Sequence, residues 1–498
     1  MSLSSFLLEH PAAPGAPVVH WPDGAFTLGE LTGRAETLAR LLGPVERAPV
    51  ACVVDSGPLA VTAMFATWLA GGVYVPVNAR LTDAEVAGQT AAADPAAVIA
   101  SSGQAARVSA DYRRLVHDGG WTVGEAGRSR SGGRFGPHVA LVMRTSGTTG
   151  ASKPVVLEHE GVRKGIDAVV DRLRGAGKQS AERPMPNLVP SSLALWAGIW
   201  NTLFALRLGA EVVLLDPFDP ADYAAMVKRF GIRSTILAPP MMTMLCDDPR
   251  VTDLRPLRYV RSVTAPLSPA QARRFHERFG VGVLNSYGQT ELGGEVVGWT
   301  AADLREHGAA KLGAVGRPHG GVEVRILDQD GVEAAPDAVG EIWIRSPFAS
   351  PGADLPRDRL RDGFLRTGDL GRLDPEGFLW IEGRVSDMIN RGGLKVVPDE
   401  VEEVLRDHPG VADACVAGVP DARLGEVPVA WVRPVPGRTP PPVPEDLRAF
   451  VRSRLAGYKV PVAVHLVDDF PRTEIGKVVR RTLVARLTGE DHGGTDPA

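Results

Sequence analysis

The sequence predicts an α/β protein: a large N-terminal part of two related α/β subdomains, then antiparallel β-structure, then a small α+β C-terminal domain. Three observations carry this. Before residue 320, strand-like apolar runs alternate with segments of helical period, the pattern of helices packed on a sheet. From 320 to 346 the pattern changes to short alternating segments (322–326 and 341–345) separated by Asp-Gly and Pro turns, which reads as antiparallel β. Beyond Arg384, a helix (400–405), two strands (414–419 and 428–432), a proline-rich loop (439–444) and a second helix (445–455) form one small unit. A chain of 498 residues exceeds a single core of ~100–200 residues. The expected division is 1–385, 386–487 and a disordered tail at 488–498.

Taken in order, residues 26–43 have helical spacing of apolar side chains, with Thr27 placed to cap and Glu30 three residues later. A strand (50–55), a buried helix (58–69) and a second strand (73–77) follow. Two uncharged runs, 56–79 and 188–206, are long enough to suggest membrane spans. In the first, however, Gly71-Gly72 separates a helix from a strand, so no span is expected. The polar stretch 124–137 connects to a buried strand at 139–143. Later, 196–206 reads as an apolar helix closed by Gly209 before a strand at 211–215. That order repeats the helix, glycine and strand around 69–77, hence the two related subdomains.

Lys and Arg number 55 against 59 Asp and Glu, a net charge of −4. Nothing there favours nucleic acid or an anionic membrane, and small soluble ligands are the default. Cys52, Cys246 and Cys415 lie far apart without a C-x-x-C partner, which excludes a disulfide framework or zinc knuckle and fits a reducing cytoplasm. The N-terminus has no basic run and meets Glu9 early, so no secretory signal is expected.

Five segments carry candidate chemistry. Thr145, Ser146, Gly147, Thr148, Thr149, Gly150 and Lys153 crowd hydroxyls, glycines and a cation into one loop after a strand, which reads as a phosphate cradle. It is not a G-x-x-x-x-G-K-[ST] loop, and its composition equally fits a surface turn. Asn285, Tyr287, Gly288, Thr290 and Glu291 form an N-x-Y-G-x-T-E block. Thr367-Gly368-Asp369 ends in a carboxylate, which only accepts hydrogen bonds. Arg384, Ser386 and Asp387 precede Gly392, Gly393 and Lys395 in a glycine-rich stretch. Lys477 lies in P-x-T-x-x-G-K-x-x-R.

In this order the blocks resemble those of the adenylate-forming superfamily of acyl-CoA synthetases, peptide-synthetase adenylation domains and luciferases, most of all its acyl-CoA ligases. The resemblance spans about residues 140 to 481. It implies a β-barrel-like subdomain and a mobile C-terminal domain, with ATP (or AMP), Mg²⁺ and CoA as the small molecules bound. It further implies that the loop and Asn285 to Gly288 hold the nucleotide, Tyr287 stacks on adenine, Thr290 bonds phosphate, Glu291 holds Mg²⁺, Asp369 takes the ribose and Arg384 the ribose or phosphate. Lys477 would bridge the substrate carboxylate and the α-phosphate. Ser386 and Asp387 would form the hinge, and Gly392, Gly393 and Lys395 the path of CoA. Leu195, Trp196, Gly198, Trp200, Ala265 and Gly293 would line the acyl pocket.

Five departures accompany the match. Arg144 stands where an aromatic or small apolar residue is usual, and Pro154 replaces a glycine, removing an N–H. Val263-Thr264 replaces the glycines of a G-G-A-P-L stretch. Ser386 takes the place of an Asp or Lys. No histidine occurs in 190–201. The pocket helix carries no Asp, Asn or Arg up to Trp200, which disfavours amino acids and malonate. The expected activity is ligation of a hydrophobic, cyclic or aromatic acid to CoA through an acyl-AMP. Three alternatives stand beside it: thioesterification of a supplied acyl-AMP, transfer to a carrier-protein thiol, or transfer to an amine. Homodimerisation is a further expectation.

Overall fold

A computed structural model describes residues 2–124, 135–145, 153–175, 184–349, 359–472 and 478–489; at 145, 153 and 172–175 it describes backbone alone. Of the expected site residues, Ser146, Gly147, Thr148, Thr149, Gly150 and Lys477 lie outside these, as do the expected tail from 490 onward and the side chains of Thr145 and Lys153.

The first helix, Leu28–Leu42, starts as its sequence dictates: the Glu30 N–H donates to Thr27 Oγ1 at 3.2 Å and the Thr27 N–H to Glu30 Oε2 at 2.8 Å, a closed capping box. Leu28, Leu31, Ala35, Leu38 and Leu42 are its buried face. Pro49–Val54, Pro58–Leu69 and Val73–Asn78 then form strand, helix and strand. The helix is buried on nearly every side, which explains why the uncharged 56–79 run needs no membrane. Among the described residues no helix is long and apolar enough to cross one.

These strands belong to a seven-stranded sheet ordered Trp121–Gly124, Arg114–His117, Ala97–Ser101, Pro49–Val54, Val73–Asn78, Val139–Thr145 and Lys153–Glu158. The inner neighbours run parallel and the outermost pair at each edge antiparallel. A second α/β part holds a four-stranded sheet, in which Pro17–Trp21 pairs with Val212–Leu214, and the parallel Ser234–Leu237, Tyr259–Ser262 and Gly282–Leu284. The expected barrel-like part is instead an open five-stranded antiparallel sheet centred on Gly340–Arg345 and Phe364–Leu373. Among the described residues nothing closes it into a barrel.

Past Arg384 a separate apolar core gathers Ile389, Val401, Leu405, Val416, Ala430 and Val464. Its sheet pairs Val411–Asp421 with Gly425–Pro434 and adds Ile389–Arg391, Leu394–Val396 and Ala463–Leu466. The cysteines are buried and unbridged.

The helix Trp196–Leu208 faces the main cavity and ends at Gly209, whose φ of +80° turns the chain out of the helix. Gly198 in its first turn lies against the backbone: a Cβ there would overlap the Ser192 carbonyl. Gly198→Ala is expected to destabilise the protein by about 2–3 kcal/mol through overpacking, read as a lower denaturant midpoint. An unchanged midpoint would show that the 191–192 turn yields freely.

Candidate active site

The described residues line a cavity of about 3120 Å³, several times the ~300–1,000 Å³ of a pocket for one small ligand. The cavity can hold more than one substrate at once. Its wall includes Asn285, Tyr287, Gly288, Thr290 and Glu291 from one segment and Asp369, Arg384, Ser386 and Asp387 from another, along with Leu195, Trp196, Trp200, Ala265 and Gly293. Residues far apart in sequence therefore meet in one place. Gly198, Gly392, Gly393 and Lys395 are not part of that wall.

Ser286–Gln289 pairs antiparallel with Gly294–Gly298 across a short 3₁₀ turn, Thr290–Leu292. Gly288 is required by the crossing, because a Cβ there would overlap the Gly294 carbonyl. The hairpin carries Tyr287 and Gln289 towards Asp369, where Tyr287 Oη donates to Asp369 Oδ2 at 2.6 Å and Gln289 Nε2 to the same oxygen at 2.8 Å. Arg384 Nε lies 2.9 Å from Oδ1. Thr367 Oγ1 supports the turn, accepting from the Asp369 N–H at 3.1 Å and donating to the Ile342 carbonyl at 2.8 Å.

Asp369 is only 4% exposed, and a buried carboxylate needs such donors. Burial first, and then the Asp369 charge, push the Tyr287 hydroxyl well above its ordinary value, so it stays a donor. Burial opposes the charge on Arg384, yet Asp369 and Asp387 outweigh it and hold the guanidinium above its usual value. A carboxylate has about four acceptor positions; Tyr287, Gln289 and Arg384 occupy three. Two ribose hydroxyls would have to displace one of these donors.

Glu291 faces the cavity with Arg359 Nη1 3.6 Å from its carboxylate. Among the described residues no cluster of three His, Cys, Asp or Glu side chains could hold a metal by itself. In a nucleotide site Mg²⁺ is bound through one or two carboxylates, with phosphate and water oxygens completing the shell. Glu291 fits as such a ligand.

Arg144 and Pro154 prove to be cross-strand partners, in register at the base of the hairpin that carries the 145–153 loop. Pro154 is exposed and lies on the edge strand, the place where a sheet tolerates a missing N–H. Arg144 reaches the cavity wall, and burial pulls its guanidinium below the usual value. Thr264 carries a φ of +73°, a backbone state that β-branched residues rarely adopt. Its Oγ1 is buried at the cavity without a hydrogen-bond partner among the described residues.

Gly392 and Gly393, with φ of +59° and +89°, form the two-residue turn between Ile389–Arg391 and Leu394–Val396. That turn geometry already demands glycine, so close approach by a pantetheine arm is not needed to explain the pair. Lys395 is exposed beside it.

Several site residues carried no clear sequence signal. Gln289 occupied an unspecified position of its block. Arg261 Nη1 and His319 Nε2 each lie 2.6 Å from Glu295 Oε1, a charge cluster on the cavity wall that no motif announced. Arg480 closes the P-x-T-x-x-G-K-x-x-R segment, and its guanidinium reaches Asp387 at 2.9 Å, Asp399 at 2.7 Å and Glu402 at 2.8 Å. The chain three residues past Lys477 is thereby tied to the short helix Val385–Asp387 that follows Arg384.

Comparison with known proteins agrees with this geometry. Residues 8–352 match the AMP-binding enzyme family, and residues 400–477 the AMP-binding enzyme C-terminal domain. Indoleacetate–CoA ligase of Aromatoleum aromaticum is 32% identical over 98% of this chain and 99% of its own length. The structure of the amide bond synthetase McbA from Marinactinospora thermotolerans superposes with a TM-score of 0.81 at 30% identity, over 97% of this chain and 99% of that one. ATP-bound MatB from Rhodopseudomonas palustris does so with a TM-score of 0.84 at 27% identity, over 99% of each chain.

Two outcomes are expected. Thr264→Gly should raise stability by about 0.5–1 kcal/mol, since relief of ~1–2 kcal/mol of left-handed strain exceeds the added chain entropy; a lower melting temperature would show the strain to be illusory. Burial and then the Glu402 charge push the Asp399 carboxyl up to about 6, against Arg480 and Arg406. Its folded pKa therefore exceeds the unfolded one, so its stabilising contribution is complete below about pH 4 and is lost as pH rises through about 6. Asp399→Asn, which cannot ionise, should gain stability relative to the parent between pH 4 and pH 7; a difference in melting temperature that stays constant with pH would contradict this.

Proposed function

This chain belongs to the family of AMP-binding enzymes, and from that premise we propose which acid it activates and how its residues act. It is an AMP-forming acid–thiol ligase of the acyl-CoA synthetase kind, with ATP and CoA as co-substrates. Within that class, the proposed substrate is a hydrophobic acid with a cyclic or aromatic body. One observation carries this reading: Trp196, Trp200 and Phe204 line the same cavity as the Asp369 cluster, and the nearby charges of Arg261, Glu295 and His319 are directed at one another. Such a wall rewards apolar surface, at ~25 cal/mol per Å² buried, and offers an ammonium or a second carboxylate little compensation.

In this reading Tyr287, Asp369 and Arg384 bind the adenosine half, and Thr290 and Glu291 face the phosphates. A substrate carboxylate oxygen attacks the α-phosphorus and pyrophosphate leaves. Lys477 stabilises the charge gathering on the oxygens between acid and phosphate. CoA thiolate then attacks the acyl carbonyl, and AMP departs with the bonding electrons. Glu291 would hold Mg²⁺, which when bound would supply charge neutralisation at the phosphates. We further propose that residues 386–487 turn as a body about Val385–Asp387 between these steps, with Arg480 holding the Lys477 segment to that pivot. A cytoplasmic location suits these substrates.

A panel of aromatic, alicyclic, short-chain and amino acids, scored for both AMP and thioester, tests the proposal. Arylalkanoic acids should exceed acetate and polar amino acids by about two orders of magnitude in kcat/KM, a difference of ~3 kcal/mol in apolar burial; a preference for acetate would overturn it. Pyrophosphate exchange with free acid distinguishes the full reaction from thioesterification of a supplied acyl-AMP. Amines and a carrier-protein thiol, offered in place of CoA, test the remaining acceptors, the amine being suggested by the likeness to an amide bond synthetase.

A further inference from the structure

Within the acyl pocket just proposed, one polar feature lacks a partner. Trp196 and Trp200 stand one turn apart on the same helix, and both present their indole nitrogens to Gly294. A Cβ at Gly294 would lie 3.5 Å from Trp196 Nε1 and 3.6 Å from Trp200 Nε1, so two donors converge on one small region of the cavity wall. The Trp196 side of this pair is costly. The residue is only 8% exposed, and its Nε1 is fully buried without a hydrogen-bond partner among the described residues. Trp200 is half-buried and held flat against Phe204, with ring centroids 5.4 Å apart and planes 10° from parallel.

An indole nitrogen donates and never accepts. A buried Trp nearly always finds a partner for it, and leaving it without one costs about 1–3 kcal/mol. Since Gly294 adds no side chain to the region, the missing partner can come from the bound acid. We propose that the acid bears a hydrogen-bond acceptor, a carbonyl or ether oxygen, on the part of its body that rests against Trp196 and Trp200. Its two lone pairs match two N–H groups arriving from neighbouring turns. A group that can only donate, such as an ammonium, is rejected there. This narrows the proposed substrate class from hydrophobic acids to hydrophobic acids with one such oxygen, and it rests on the acyl-ligase reading.

The test uses matched pairs of phenylacetic acids, acetyl against isopropyl at the ortho, meta and para positions, which differ in the oxygen and hardly in shape. The full-length enzyme is assayed with ATP and CoA. In at least one pair, kcat/KM should favour the acetyl acid by about 10- to 100-fold, the range set by an unpaired buried donor. Trp196→Phe keeps a ring but removes the N–H; it should cut the ratio of acetyl to isopropyl kcat/KM at least about tenfold. Trp200→Phe, at the less buried ring, is the second variant should the first fail to fold. The inference is overturned if isopropyl acids release pyrophosphate as fast as acetyl acids at every position, or if the preference survives in the variant. Should no acid of either kind release pyrophosphate, the proposed arylalkanoic substrate class itself fails, a result distinct from the loss of discrimination.

Discussion

The Asp369 carboxylate is the constraint on which the rest of the site depends. It is buried and charged, and it survives there because Tyr287 and Gln289 arrive on one hairpin and Arg384 at the end of a neighbouring strand. Removing one partner of a buried charge costs several kcal/mol, far more than the pair adds over an apolar substitute. The open antiparallel sheet, the Ser286–Gly298 hairpin and the start of the C-terminal part are therefore held in a fixed relation by one side chain. A nucleotide competing for the same carboxylate must offer at least as many hydrogen bonds as it displaces.

That arrangement connects Asp369 to the C-terminal part through short steps. Arg384 opens the short helix Val385–Asp387, Asp387 receives Arg480, and Arg480 also bridges Asp399 and Glu402 on the next helix. Each link is a charge-assisted hydrogen bond of 2.7–2.9 Å, short enough to be strong and directional. The 3₁₀ helix sits between two such anchors. A pivot placed there moves the segment that follows it only by exchanging these contacts.

Much of the scaffold was legible because its causes are local. Thr27 and Glu30 announce a helix start by spacing alone, and Gly209 announces an end. The alternation in 341–345 needs no knowledge of what it faces. The 56–79 run was readable as helix then strand because two glycines interrupt it. Site residues were legible where blocks of several residues stood together, as in Asn285 to Glu291, since hydroxyl, aromatic and carboxylate at fixed spacing point to one chemistry. Gly392 and Gly393 show the limit: the sequence marks glycine there, but a turn with positive φ and a passing ligand demand the same residue.

By itself, then, the sequence determined the α/β class, the order of its elements, the family and a group of motif residues that face the cavity, all properties of near neighbours in the chain or of spaced motifs. Tertiary structure alone decided that Arg144 and Pro154 oppose each other, that Thr264 takes a glycine's conformation, that Arg261, Glu295 and His319 neutralise one another, and that Trp196 and Trp200 aim at Gly294. The charge cluster and the tryptophan pair depend on contact between segments tens of residues apart. No local propensity encodes such a meeting, because it arises only when the sheets fix where the loops and helix faces arrive.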